Sequence, residues 1–120
     1  MKIMVVDDSS IMRRIINTNL KAAGFSDIIE ATNGAEAIQN LSGVNLVLTD
    51  WNMPVMNGLS LVKEIRKQPE HAGLPIIMVT TEGAKTEVME ALRQGVNNYI
   101  VKPFTPETLI EKVNATLGKS

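Results

Sequence analysis

The chain has 120 residues, a formal net charge of −1 and no cysteine. This length suits one domain with a single hydrophobic core. The near-neutral net charge does not favour binding to nucleic acid or to an anionic membrane. The absence of cysteine excludes disulfides and thiolate metal sites. No apolar stretch approaches the roughly 20 residues of a membrane-spanning helix, and no secretory signal precedes the first apolar run. We therefore expect residues 1–120 to form one domain, and the missing cysteines fit the reducing cytoplasm. We also expect the chain to be a monomer.

Short apolar runs alternate with helical patterns along the whole chain. Three of the five runs are continuous rather than alternating in polarity, which is typical of strands that helices cover on both faces. Five strands alternating with five helices predict an α/β fold, (βα)5, in which right-handed crossovers build a doubly wound parallel sheet. The predicted strands are Ile3–Val6, Ile28–Ile29, Leu46–Leu48, Ile76–Val79 and Tyr99–Val101.

Helical spacing of apolar residues predicts the five helices. The second helix opens at Asn33, three residues before Glu36, as in a capping box, and the fifth opens with Thr105 as N-cap and Pro106 at its first position. The predicted buried faces are Met12, Ile15, Ile16, Leu20 and Ala23; Ala37, Ile38 and Leu41; Leu61, Val62 and Ile65; Val88, Ala91 and Leu92; and Leu109, Ile110, Val113 and Leu117.

Carboxylates follow two of the predicted strands: Asp7 and Asp8 follow the first, and Asp50 follows the third. Ligands of an open parallel sheet bind beyond the carboxyl ends of its strands. If the two strands are neighbours, three carboxylates converge and repel, and a hard divalent cation such as Mg2+ would relieve that repulsion. The alternative is that Asp7 and Asp8 only cap the helix that begins near Ser10. The presence of Asp50 on another strand end favours the metal site.

A hydroxyl group and an ammonium group follow two further strands, because Thr80 ends the fourth strand and Lys102 follows the fifth. Taken singly, Thr80 would be a turn residue and Lys102 a solvated side chain. Together with the acids they place polar groups at four of the five strand ends, and they suit a phosphoryl group, which accepts hydrogen bonds and carries negative charge. The residues therefore predict that Asp50 accepts a phosphoryl group.

In order and spacing, these residues match the receiver domain of bacterial two-component response regulators, which the chain resembles over essentially its whole length. Within that family, Trp51, Asn52, Tyr99 and the absence of an output domain resemble the single-domain chemotaxis regulators. The resemblance implies a flavodoxin-like sheet with the strand order 2-1-3-4-5. The matching motifs are Val5–Asp8 (VVDD), Asp50–Gly58 (DWNMPVMNG), Thr80 and Lys102–Phe104 (KPF).

The resemblance implies a role for each residue of the acidic site. Asp50 would take the phosphoryl group from the phosphohistidine of a sensor histidine kinase, as an acyl phosphate. Asp8, Asp50 and the main-chain carbonyl of Asn52 would hold Mg2+, and Asp7 would reach the metal partly through water. Positioning and charge neutralisation supply most of phosphoryl-transfer catalysis, so this small set of groups is chemically sufficient.

The resemblance also implies a switch and an output surface. Thr80 and Lys102 would bind the phosphoryl oxygens, with a cis Lys102–Pro103 bond directing the ammonium inward. Tyr99 would fill the space that Thr80 leaves, whereas the residues alone suggest only a half-buried strand aromatic. The output surface on the fourth helix, fifth strand and fifth helix would bind the flagellar motor switch or another target. Its residues would include Val88, Tyr99 and Lys112.

The same resemblance assigns phosphoryl lifetime to Asn52 and Glu82, which would flank the path of attacking water, and a separate phosphatase would be a further partner. The chain would then be a phosphoacceptor with intrinsic self-phosphorylation and self-dephosphorylation rather than an enzyme. Three alternatives stay open: an FMN-binding flavodoxin-like protein, an aspartyl-phosphate phosphatase, and a phosphorelay shuttle or phosphate sink. The first two are disfavoured because Asp7 and Asp8 would repel a flavin phosphate, and because Asn52 stands where such phosphatases need an acid.

Overall fold

The computed structural model describes residues 1–81 and 85–118 and shows a parallel sheet of five strands with helices on both faces. Numbered along the chain, the strands lie in the order 2-1-3-4-5, which confirms the predicted order. The strands are β1 (Lys2–Val6), β2 (Asp27–Ala31), β3 (Leu46–Thr49), β4 (Ile76–Thr80) and β5 (Asn98–Val101). The helices are α1 (Ser10–Ala22), α2 (Gly34–Gln39), α3 (Gly58–Lys67), α4 (Lys85–Arg93) and α5 (Pro106–Thr116), and a short 3-10 turn, Pro69–His71, precedes β4.

The sheet separates two hydrophobic clusters, because successive strand side chains point to opposite faces. In β1, Met4 and Val6 pack on the face that α2, α3 and α4 cover, whereas Ile3 and Val5 pack on the face of α1 and α5. All four side chains are almost completely buried. Burial on both faces explains why this strand appears in the sequence as a continuous apolar run.

The helix starts follow the predicted capping chemistry. Asn33 accepts a hydrogen bond from the main-chain N–H of Glu36, and Thr105 caps α5 with Pro106 at the first helical position. The Glu36 carboxylate accepts from the N–H of Thr32, one residue earlier than in a standard capping box. The carboxylate therefore closes the turn that leads from β2 into α2.

Three predicted core positions are exposed in the structure, and one buried position lies outside its predicted helix. Ile15 and Leu92 are 43% and 47% exposed, because each lies at the border of its helix's apolar stripe rather than at its centre. Ala23 is the exposed C-cap residue of α1, and Leu41 is buried but lies beyond the end of the short helix α2. In the described part of the chain, no helix has the length and apolar character needed to cross a membrane.

Candidate functional site

The ends of β1 and β3 bring Asp7, Asp8 and Asp50 together. The two strands pair with Val6 opposite Thr49, so Asp7 and Asp50 are the next residues of neighbouring strands. One carboxylate oxygen from each of the three acids lies within 4.8 Å of the others. The acidic cluster expected from the sequence is therefore present at the carboxyl edge of the sheet.

Asp7 is the buried member of the cluster, with 1% of its surface exposed. The main-chain N–H of Ser9 donates to its Oδ1 at 2.9 Å, and Lys102 Nζ donates to its Oδ2 at 3.1 Å. Its main-chain carbonyl oxygen accepts a hydrogen bond from Arg13 Nη1 at 2.6 Å. Both carboxylate oxygens and the carbonyl oxygen of Asp7 are therefore engaged by the protein itself.

Asp50 is half-buried, and its environment opposes ionisation. Burial raises the pKa of Asp50 above its ordinary value of 3.8, and the neighbouring charge of Asp7 raises it further. The positive charge of Lys102, whose Nζ lies 3.5 Å from Asp50 Oδ1, lowers the pKa and only partly offsets these effects. The N–H of Trp51 donates to the same oxygen at 2.8 Å. An ionised Asp50 is thus less stable here than in water, so additional positive charge would be favourable.

Among the described residues, Lys102 is the cation that contacts the carboxylates of this cluster. Its N–H donates to the carbonyl oxygen of Thr80, the last residue of β4, at 2.8 Å, which continues the pairing with β4 one residue past the end of β5. The Lys102–Pro103 peptide bond is cis, as the resemblance implies. The side chain is 14% exposed, and its ammonium group bridges Asp7 and Asp50.

Thr80 and Tyr99 belong to the same pair of strands as Lys102. Thr80 is buried at the end of β4, opposite Val101 in β5. Tyr99 lies two residues earlier in β5 and is half-buried, with its side chain packed against the hydrophobic cluster that α2, α3 and α4 cover. The ammonium group of Lys112 lies 5.2 Å from the centre of that ring, which is within the range of a cation–π contact. The predicted switch residue Tyr99 is thus in contact with Lys112, one of the predicted surface residues.

Three further predicted residues are Asn52, Val88 and Glu82. Asn52 is exposed in the loop that follows β3, and Val88 is half-buried on α4. Glu82 lies outside the described residues. Of the two positions predicted to set the phosphoryl lifetime, the structure therefore describes only Asn52, and its predicted role stays a prediction.

The loop between Asp50 and α3 depends on a close backbone approach that single-sequence reasoning did not predict. The N–H of Gly58 donates to the carbonyl oxygen of Trp51 at 2.8 Å. A Cβ atom at position 58 would overlap the carbonyl oxygen of Asp50 and lie 3.0 Å from Trp51 Cα. Gly58 is part of the quoted motif, but its requirement for glycine follows only from the three-dimensional path of the loop.

Arg13 is a second residue that the sequence did not single out. Its Nε donates to Glu30 Oε1 at 2.7 Å while its Nη1 donates to Asp7, and the side chain is only 14% exposed. Its neighbour Arg14 on the same helix is exposed. Nothing in the sequence distinguishes the two arginines, because the choice depends on which of them faces β2.

The donor set fits a hard divalent cation. Three carboxylates carry three negative charges against the one positive charge of Lys102, since Arg13 is already paired with Glu30. Asp8 is exposed, and its side chain makes no hydrogen bond with the described part of the chain. Carboxylate oxygens with room for water are the ligands that Mg2+ prefers. Asp8 and Asp50 are thus the acids with oxygen atoms most available to a metal.

Comparisons with known proteins agree with this geometry. A protein-family profile described as the response regulator receiver domain matches residues 3–114. The chemotaxis protein CheY1 of Helicobacter pylori is 54% identical over 98% of each chain, and the CheY homolog of Campylobacter jejuni is 56% identical over 98% of this chain and 93% of its own. The solved structure of Vibrio cholerae CheY4 superposes with a TM-score of 0.89 at 34% identity, covering 96% of this chain and 97% of that one.

Proposed function

The chain belongs to the response regulator receiver domain family, and from this premise we propose that Asp50 accepts a phosphoryl group from the phosphohistidine of a sensor histidine kinase in the cytoplasm. The observation that carries the proposal is the ammonium group of Lys102, which lies between Asp7 and Asp50 at the carboxyl edge of the sheet. Phosphoryl transfer to a carboxylate requires a nucleophile beside fixed positive charge. The family assignment favours this interpretation over an FMN-binding protein or a phosphatase of external esters.

In the proposed transfer, a carboxylate oxygen of Asp50 attacks phosphorus as the bond from phosphorus to the imidazole nitrogen breaks. The electron pair of that bond stays on the imidazole, and an acyl phosphate remains on Asp50. Lys102 would neutralise charge on the phosphoryl oxygens, and the hydroxyl of Thr80 would donate a hydrogen bond to one of them. Self-dephosphorylation follows when water attacks phosphorus, which regenerates the carboxylate and releases inorganic phosphate.

We propose that Asp8, Asp50 and the main-chain carbonyl of Asn52 hold Mg2+, with Asp7 acting partly through water. Once bound, the metal would neutralise charge on the phosphoryl oxygens in the transition state. The structure supports a smaller role for Asp7 in holding the metal, because both of its carboxylate oxygens already accept hydrogen bonds from the protein. Asp8, whose carboxylate is exposed, is better placed to give an oxygen directly.

The proposed readout is a change on the surface of α4, β5 and α5. Thr80 would move toward the phosphoryl group, Tyr99 would fill the space behind it, and the surface that includes Val88 and Lys112 would bind the flagellar motor switch. Tyr99 is half-buried, so its ring can move between the core and the surface with a moderate change in exposure. The chemotaxis names of the relatives support this target, and residues 1–120 would act as one monomeric receiver that binds it directly.

The lifetime of the phosphoryl group is proposed to depend on Asn52 and Glu82, which would flank the path of attacking water. The exposure of Asn52 beside the acidic cluster supports its part of this proposal. A separate phosphatase would act at the same edge, since that edge is where the acids meet the surface.

The test uses Trp51, the only tryptophan of the chain, whose N–H is bound to Asp50. We expect Mg2+ to quench its fluorescence, and beryllium fluoride to change it further by forming a phosphoryl-like group on Asp50. The Asp50→Asn variant should lose the beryllium fluoride response. Asp27→Asn, which removes an exposed acid from the first residue of β2, should retain both responses.

A wild-type protein that responds to neither ligand would contradict the proposed phosphoacceptor. Equal responses in the wild type and in Asp50→Asn would contradict the assignment of the acceptor to Asp50. Transfer of phosphate from acetyl phosphate, followed by mass spectrometry, locates the modified residue independently.

A further inference from the structure

This inference rests on the proposed magnesium site. We propose that Arg13 is a positioning residue of that site, which fixes the peptide between Asp7 and Asp8 and thereby sets the position of the Asp8 carboxylate. The guanidinium group would act through the main chain and would not touch the metal.

The contacts of Arg13 connect it to the acidic cluster through the main chain of Asp7. It lies on the first turn of α1, which begins at Ser10, two residues after Asp8. Its Nη1 donates to the carbonyl oxygen of Asp7 at 2.6 Å, and its Nε donates to Glu30 on β2 at 2.7 Å. One side chain therefore joins α1, the end of β1 and β2, and it does so with only 14% of its surface exposed.

The two acids of β1 differ in what holds them. The carboxylate of Asp7 is oriented by Ser9 and Lys102, so it keeps its position through its own side chain. The side chain of Asp8 has no such hydrogen bond with the described residues and is exposed. Its position is consequently set by its backbone, and the peptide leading into Asp8 begins with the carbonyl group that Arg13 binds.

Arginine suits this position because its planar group can donate to two acceptors in fixed directions, whereas lysine presents a single ammonium group. The paired carboxylate of Glu30 also neutralises the charge of Arg13, so the cation does not cancel the negative field of the cluster. A positioning role of Arg13 and a purely electrostatic role therefore predict opposite changes in metal affinity when Arg13 is replaced. Loss of positioning weakens metal binding, while simple loss of a nearby positive charge would strengthen it.

The chain offers a matched control in Arg66 on α3. Its Nη2 donates to the carbonyl oxygen of Gly95 at 2.8 Å, and its Nη1 donates to that of His71 at 3.1 Å. These carbonyl groups precede β5 and β4, so they lie at the opposite edge of the sheet from the acids. Arg66 therefore makes the same kind of main-chain contact as Arg13, far from the proposed metal.

The experiment measures the Mg2+ dissociation constant from Trp51 fluorescence and the urea unfolding midpoint without metal. It compares the wild type with Arg13→Lys, Arg13→Met and Arg66→Lys, after circular dichroism has shown that each variant is folded. We expect both Arg13 variants to raise the dissociation constant about tenfold, the lower end for residues that orient metal ligands. Arg66→Lys should lower the unfolding midpoint and leave the dissociation constant within about twofold.

Three outcomes would overturn the role of Arg13. The first is an unchanged constant in Arg13→Lys with tighter binding in Arg13→Met, which would show a charge effect alone. The second is an equal loss of affinity in Arg66→Lys, which would show general loosening. The third is that neither Arg13 variant folds, which would make the guanidinium group a requirement of the fold. A wild type that does not respond to Mg2+ would instead contradict the proposed function itself.

Discussion

Charged side chains lie at both edges of the sheet, but their surroundings differ between the two edges. At the amino edge, Arg66 makes four hydrogen bonds, all to neutral oxygens of Gly95, His71 and Asn97. Burial lowers the pKa of Arg66, yet every contact there satisfies a polar group. At the carboxyl edge, three carboxylates lie together beside one lysine. The amino edge is explained by stability, whereas the carboxyl edge retains repulsion that stability alone does not explain.

That difference indicates that the fold tolerates electrostatic repulsion at its carboxyl edge. Like charges held within a few ångströms of each other destabilise a protein unless a ligand compensates them. The carboxyl edge also contains Val55, a β-branched residue with a φ of 68°. Repulsion and backbone strain thus occur in the same part of the molecule, as is common at functional sites. Substitutions at the two edges should separate effects on stability from effects on metal binding.

The largest expected effect is that of Gly58→Ala. The added Cβ would overlap the carbonyl oxygen of Asp50, and the nearby atoms belong to the main chain, so they cannot rotate away as a flexible side chain could. We expect the free energy of unfolding to fall by about 3 kcal/mol or more, and the Mg2+ affinity to fall as the loop moves. Urea unfolding and Trp51 titration measure the two effects.

Gly95→Ala is the matched control at the amino edge. Gly95 has a φ of 107°, and a Cβ there would lie 2.9 Å from Arg66 Nε. We expect a loss of roughly 1–3 kcal/mol in unfolding free energy, with an unchanged Mg2+ dissociation constant. If Gly95→Ala weakened Mg2+ binding as much as Gly58→Ala does, the two edges would not be independent and the comparison would fail.

The sequence predicted the carboxyl edge better than it predicted the contacts that support it. Asp7 and Asp50 could be placed at one edge because each directly follows a buried strand, and strand ends meet at one edge of a parallel sheet. That their two strands are neighbours was implied only by the family resemblance. The exposure of Ile15 and Leu92 could not be predicted, because helical spacing gives the direction of an apolar face but not its width. Arg13 was missed for a related reason, since its partners lie on other elements.

The next effect in size concerns the ionisation of Asp50. Its pKa is raised in the folded state, so the folded protein binds a proton more readily than the unfolded chain does. Stability from this group is therefore present at low pH and is lost as the pH rises from about 3.8 through the raised folded value. Without divalent metal at pH 7, we expect Asp50→Asn to increase the free energy of unfolding by roughly 1 kcal/mol.

Urea unfolding of the wild type and of Asp50→Asn, at pH 7 and at pH 3, tests this expectation. The advantage of the variant should shrink at the lower pH and should reverse when Mg2+ stabilises the wild type by binding. Asp27→Asn should change stability by less than about 0.5 kcal/mol, because Asp27 is exposed at the amino end of β2. A less stable Asp50→Asn at pH 7 would show that the pairing with Lys102 outweighs burial.

The smallest effect is expected from Val55→Asn in the loop between Asp50 and α3. The N–H of Met56 donates to the carbonyl oxygen of Pro54 at 2.7 Å, which together with the positive φ of Val55 matches a strained classic γ-turn. The Val55 side chain is 83% exposed, so its removal loses little packing, and asparagine tolerates positive φ better. We expect a gain of about 0.5 kcal/mol, whereas Val55→Ile, which stays β-branched, should show none.

The same variant can distinguish two reasons for the strain at Val55. If Val55→Asn is more stable and binds Mg2+ as tightly as the wild type, the strain is only a consequence of the short path that the loop takes. If the variant is more stable but binds Mg2+ more weakly, the strained turn helps to place the main-chain carbonyl of Asn52 toward the metal. In that case both backbone strain and the negative charge of the acids would contribute to metal binding at the carboxyl edge, and the amino edge would have no such role. A less stable Val55→Asn would contradict the assignment of strain to this residue.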